Sequence, residues 1–147
     1  LCYGTLAGGF FDEKWLGLDE PKEGFSNRSL TKYKLIIDDF GGWELFQELL
    51  LTLHKISERY ESTIAQTALR WILCQEGVEA AIVGATSRRH LESNIEVFRG
   101  SLGTDDQEAI LSVVKRSVGP NGDVYDLERD KSGRHGSVMR YNQNSIS

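Results

Sequence analysis

Two short constellations in the sequence have the make-up of an anion site. Gly8-Gly9 closes an apolar opening run, and glycine leaves the backbone bare to close approach by a phosphate group. Gly84-Ala85-Thr86-Ser87 is a turn leading directly into a helical pattern, whose free N–H groups and dipole attract negative charge. His90 and Asn94 stand four apart, on one face of that helix's first turns. Lys14, Arg28 and Arg88 are candidate cations for such a site. Plain readings compete with each of these. Lys14 and Arg28 also fit solvated loop charges, Arg88-Arg89 a solvated first turn, and His90 an exposed helix residue. For His54 a structural place in a helix is the better reading, and for His135, between Gly133 and Gly136, solvent exposure.

Composition narrows the class. The 147 residues are 39% hydrophobic and 27% charged, the balance of a globular domain. A net charge of −5 with only short basic clusters speaks against nucleic-acid binding. No apolar run approaches the roughly 18–20 residues of a membrane span. Cys2 and Cys74 form neither a disulfide framework nor a metal-ligand spacing; both lie in apolar segments, so buried free thiols and a reducing, cytoplasmic compartment are expected. The chain opens on Leu1 and its one methionine is Met139, which leads us to expect more sequence upstream.

The elements that must position these residues follow from periodicity. Residues 1–6 read as a strand running into the glycine turn. Residues 10–42 read as a long surface loop, with a short helix near 30–38. From Trp43, Leu45, Phe46, Leu49, Leu50, Leu53 and Ile56 recur at helical spacing. Thr63 and Gln66 form a capping box for a second helix, ending before Gly77. Residues 78–83 read as a buried strand, followed by a helix ending at Gly100. Thr104 with Gln107 predicts another capping box, and that fourth helix closes at Gly119-Pro120. Residues 121–147 lack a helical period and read as an irregular arm. Strands alternating with helices point to α/β architecture with parallel strands, and two strands alone make an incomplete sheet.

Three ordered segments resemble the C-terminal part of aldo-keto reductases. They are Tyr3-Gly4-Thr5-Leu6-Ala7-Gly8-Gly9; the helix carrying Thr63, Gln66, Ala68, Leu69 and Trp71; and Ala81-Ile82-Val83-Gly84-Ala85 followed by His90-Leu91-Glu92-Ser93-Asn94. The resemblance implies an α/β fold, the C-terminal portion of a TIM (β/α)8 barrel with two parallel strands and several helices over residues 1–120, an incomplete barrel with the arm of residues 121–147 appended. It also implies NADP(H) as cofactor and a small carbonyl compound as substrate. Tyr3 would stack on nicotinamide, and the backbone of Gly4, Thr5, Leu6, Ala7 and Gly8 would cradle the diphosphate. Lys14 and Arg28 would lie near phosphate, while Gly84, Thr86, His90, Ser93 and Asn94 would form the adenosine-phosphate site. Gly84 stands where many members have lysine, His90 replaces arginine or glutamine, and Ser93 replaces a frequent glutamate.

The family's catalytic tyrosine, lysine, aspartate and histidine come from the first half of its barrel, and no segment here resembles their contexts. We therefore assign no catalytic residue. The expected function is the cofactor-binding part of an NADP(H)-dependent carbonyl reductase, inactive alone. The alternatives are a non-catalytic relative used for binding or regulation, and a stand-alone helical interaction domain.

Overall fold

The computed structural model describes residues 1–22, 24–25, 27–85 and 87–139. Seven α-helices organise them. α1 (Arg28–Phe40) starts where the Asn27 side chain accepts a hydrogen bond from the Leu30 amide at 2.9 Å. It turns back at Gly41 into α2 (Gly42–Arg59), whose apolar positions Leu45, Phe46, Leu49, Leu50, Leu53 and Ile56 are all buried. α3 (Ile64–Leu73) opens with the predicted capping box: Thr63 accepts from the Gln66 amide, and the Gln66 side chain accepts from the Thr63 amide. α4 (Arg88–Ile95) continues into a 3-10 turn over Glu96–Phe98. α5 (Thr104–Val114) packs Ile110 and Val113 against α2. Two short helices, α6 (Val124–Arg129) and α7 (Arg134–Ser137), form the arm.

The core lies where α1, α2, α3 and α5 meet, and it extends into the segment before α1. Phe10 is fully buried among Trp15, Phe25, Trp43 and Phe46, with ring centroids 4.9–6.1 Å apart. The Trp15 and Trp43 indoles donate to the Gly9 and Leu18 carbonyls, each at 2.8 Å, and Trp71 donates to that of Gln107 at 3.3 Å. The stretch read as a long surface loop is thus a wall of the core, and its helix spans thirteen residues.

The expected α/β architecture is not what the chain forms. Residues 1–6 and 78–83, read as two parallel strands of an incomplete barrel, make no strand among the described residues. They meet in one isolated parallel bridge, Cys2 with Ala81. The Cys2 amide donates to Ala80 O at 2.9 Å and the Ile82 amide to Cys2 O at 2.7 Å. Local geometry stops the ladder on both sides. Gly4 turns the first segment into a 3-10 turn over Ala7–Gly9, and the Val78 amide closes a turn onto Gln75. A parallel pair without further neighbours has nothing to extend it, so helix packing supplies the core instead.

Smaller expectations also change. Gly103, not Thr104, is the N-cap of α5, and the Gln107 amide group donates to Leu102 O at 3.0 Å instead of closing a box. Cys74 is exposed and Cys2 half-buried, not buried thiols. The arm is helical over ten of its residues, and residues 140–147, read as part of it, lie outside the described residues.

Candidate functional site

The first candidate segment bends around a side chain that belongs to α1. A β-carbon added at Gly4 would lie 2.2 Å from the Tyr33 hydroxyl oxygen, and one at Gly8 2.6 Å from Tyr33 Cδ2. Both glycines have positive φ, +70° and +63°, so conformation and contact together demand glycine there. One face of the predicted cradle is therefore occupied by Tyr33, while the backbone at Gly9 is open, with no atom within 4 Å of its β-carbon position. Leu6 and Ala7 are half-buried beneath this turn. Thr5 is buried, and its hydroxyl has no hydrogen-bond partner among the described residues. Tyr3 projects half-exposed at the edge.

The second candidate segment begins at Gly84, which is exposed and open. The expectation for Thr86 lies outside the described residues. Ser87 caps α4, its hydroxyl accepting from the His90 amide at 3.3 Å. His90 is exposed on the first turn, and Asn94 is half-buried one turn later. Ser93 meets α3, with its hydroxyl 3.1 Å and its carbonyl 2.9 Å from the Gln66 amide nitrogen. The single Cys2–Ala81 bridge sets the two segments side by side.

The loop cations are compensated close to home. Lys14 pairs with Asp12 at 3.4 Å and leans over the Trp15 ring, and Arg88 pairs with Glu92 on its own helix at 2.8 Å. Arg28 is exposed at the start of α1.

Sequence reasoning missed the residues around Tyr3. Lys32 meets the buried Glu128 of α6 at 2.5 Å and lies 5.0 Å over the Tyr33 ring. Burial opposes the Lys32 charge, but the hydrogen bond with Glu128 and the charges around it win, so its pKa is raised. Desolvation, then the charges of Glu128 and Asp123, raises the Tyr3 pKa, so the phenol stays neutral well beyond physiological pH. These contacts bring the arm to the first candidate segment. His135 of α7, expected in solvent, is buried against α1 with Nε2 at 2.6 Å from Asp39.

Two recesses flank these segments. A cavity of about 260 Å³ between α1, α2, α3 and α5 has almost purely apolar walls, including Phe46, Leu49 and Trp71, and offers little to orient a polar ligand. A second, of about 220 Å³, has Asn94 beside Ala80, Ala81 and Leu69 and is the more suitable for a base edge. An orphaned hydroxyl at Thr5, bare backbone at Gly9, a capped helix start and a carboxamide fit a phosphate-bearing nucleotide. Among the described residues no group of histidines, cysteines and carboxylates could hold a metal ion, and no helix is long and apolar enough to cross a membrane.

Residues 1–115 match the family model described as the aldo/keto reductase family. Over 77 residues the chain is 29% identical to the aldo-keto reductase YhdN of Bacillus subtilis (strain 168). That alignment takes in 50% of this chain and 23% of the relative, so the matched part is under a quarter of YhdN's length. The family match runs from Leu1 through both candidate segments to the end of α5, and on it the chain belongs to the aldo/keto reductase family.

Proposed function

We propose that this chain supplies the nucleotide-binding part of an oxidoreductase that uses NADP(H) to reduce a small carbonyl compound. The observation that carries the reading is the parallel bridge between Cys2 and Ala81, which joins the segment leading into the glycine bend to the segment leading toward α4. In this reading the Tyr3 ring lies against nicotinamide and the backbone from Gly4 to Gly8 takes the diphosphate, with the Thr5 hydroxyl as an added donor. Gly84 and the capped start of α4 receive the adenosine phosphate, Asn94 binds the adenine edge, and His90 with Lys14 and Arg28 supplies positive or polar contact to the 2′-phosphate. Ser93 belongs to the same helix and acts through its position.

The test is an NADPH-fluorescence titration of the full-length protein with and without Asn94→Ala. Losing a hydrogen bond to the base should weaken binding about tenfold. An identical curve for the two proteins overturns the assignment. Proton donation to the forming alkoxide is assigned to residues outside this chain, and general-acid assistance is often worth roughly 10²–10⁴ in rate. The 147-residue chain alone should therefore show no steady turnover of an aldehyde with NADPH, and turnover by the purified chain refutes that division of labour.

A further inference from the structure

α4 has little apolar anchorage. Its two large apolar side chains, Leu91 and Ile95, are 55% and 56% exposed. What reaches it from α3 is polar. The Gln66 amide nitrogen donates to the Ser93 carbonyl and hydroxyl. One turn along α3, the buried Arg70 guanidinium donates to the carbonyls of Glu96, Val97 and Arg99, each at 3.1 Å, where α4 runs into its 3-10 turn. These carbonyls lie at the C-cap of α4 and in the turn that follows, so the cation offsets unpaired lone pairs just past the helix end. Gln66 divides its work: its oxygen closes the α3 capping box and its nitrogen holds α4.

We propose that Gln66 and Arg70 are positioning residues that set α4 against the adenosine end of the cofactor. This rests on the reading of α4 as the adenosine-phosphate site. Ser93 adjoins Asn94 and lies one turn from His90, so a helix released at Ser93 and at its C-terminal carbonyls carries both out of register. Binding groups keep their affinity only when a supporting shell holds them within roughly 0.5 Å of the productive geometry. Neither residue need touch the nucleotide.

The deciding variant is Gln66→Glu in the full-length protein. It keeps the capping oxygen, which a capping box accepts from glutamate as readily, and turns an oxygen instead of an N–H toward the Ser93 carbonyl. The expected result is an NADPH dissociation constant raised roughly tenfold, the scale of one lost hydrogen bond to a well-placed group. Competition by adenosine 2′,5′-bisphosphate should weaken by the same factor, while reduced nicotinamide mononucleotide binds as before. Arg70→Met should lose more affinity than Arg70→Lys, which retains the charge with fewer donors. Unchanged NADPH affinity in both Gln66→Glu and Arg70→Lys overturns the proposal. So does an equal loss for the adenosine and nicotinamide probes, which marks general loosening. If Gln66→Glu does not fold, Arg70→Lys decides by the same two probes. Failure of the unsubstituted protein to bind NADPH instead overturns the functional reading, and this inference falls with it.

Discussion

His135 Nε2 lies 2.6 Å from Asp39 Oδ2, and this contact fastens the C-terminal arm to the end of α1. Arg134 reinforces it, forking to Asp38 at 3.1 Å and Asp39 at 3.4 Å. His135 is 5% exposed, so the pair is shielded from the water that weakens surface ion pairs. Replacing His135 with alanine should cost about 1–3 kcal/mol, the usual range for a buried hydrogen bond to a charged group. Limited proteolysis should then cut within residues 121–139 faster than in the parent. An unaltered thermal midpoint and cleavage pattern would dismiss the fastening.

Alkaline pH should loosen the other arm contact. The Lys32 pKa is raised above its ordinary 10.5 in the folded chain, so its contribution is complete below 10.5 and disappears as pH rises through the raised value. Glu128→Gln should flatten this dependence. It should also lower the Tyr3 ionisation toward 10.0, because the Glu128 charge is the second cause of its rise after desolvation. Phenolate absorbance during a pH titration, with Tyr3→Phe identifying the signal, checks both; a Tyr3 ionisation indifferent to Glu128 counts against the contact.

Leu50 is fully buried at the centre of α2. Leu50→Ala should therefore destabilise the fold by about 2–5 kcal/mol, combining lost transfer energy with the cavity left behind. Chemical denaturation giving a loss of unfolding free energy below about 1 kcal/mol would place the core elsewhere.

At Gly4 the prediction concerns rescue. Gly4→Ala puts a methyl group where the Tyr33 hydroxyl stands and strains a positive φ, so stability should fall. Adding Tyr33→Phe removes the oxygen and should recover part, leaving the backbone strain. Denaturation of the double variant tests this: no recovery means that the clash is not what Gly4 avoids.

Local rules made much of the helical frame legible. The Thr63–Gln66 box and the apolar stripe of α2 involve residues three or four apart, where sequence and geometry are directly linked. The same Thr-Xaa-Xaa-Gln spelling at Thr104 gave a different outcome, because Gln107 found the Leu102 carbonyl first. The sequence pattern gives too short an α1 because Asn27, its cap, sits in a stretch without apolar period. The two expected strands fail to form for a different reason. A strand exists only through its neighbours, and nothing within residues 1–6 or 78–83 reveals that their pairing stops after Cys2 and Ala81. In the candidate site, the spacing of His90 and Asn94 was visible, whereas Gln66 on Ser93, Tyr33 on Gly4 and Glu128 on Lys32 join residues 27 or more positions apart and left no local trace.

The placement of the tryptophans gives the chain two separable optical reporters. Trp15 and Trp43, with ring centroids 6.3 Å apart, both bind carbonyls of the segment before α1, and Trp71 binds the first half of α5. With Trp71 replaced by phenylalanine, emission follows the docking of that segment alone; with Trp15 and Trp43 replaced, it follows α3 meeting α5. Stopped-flow traces of the two variants would time the closing of each side of the core, and equal rates would mean that both sides close in a single event.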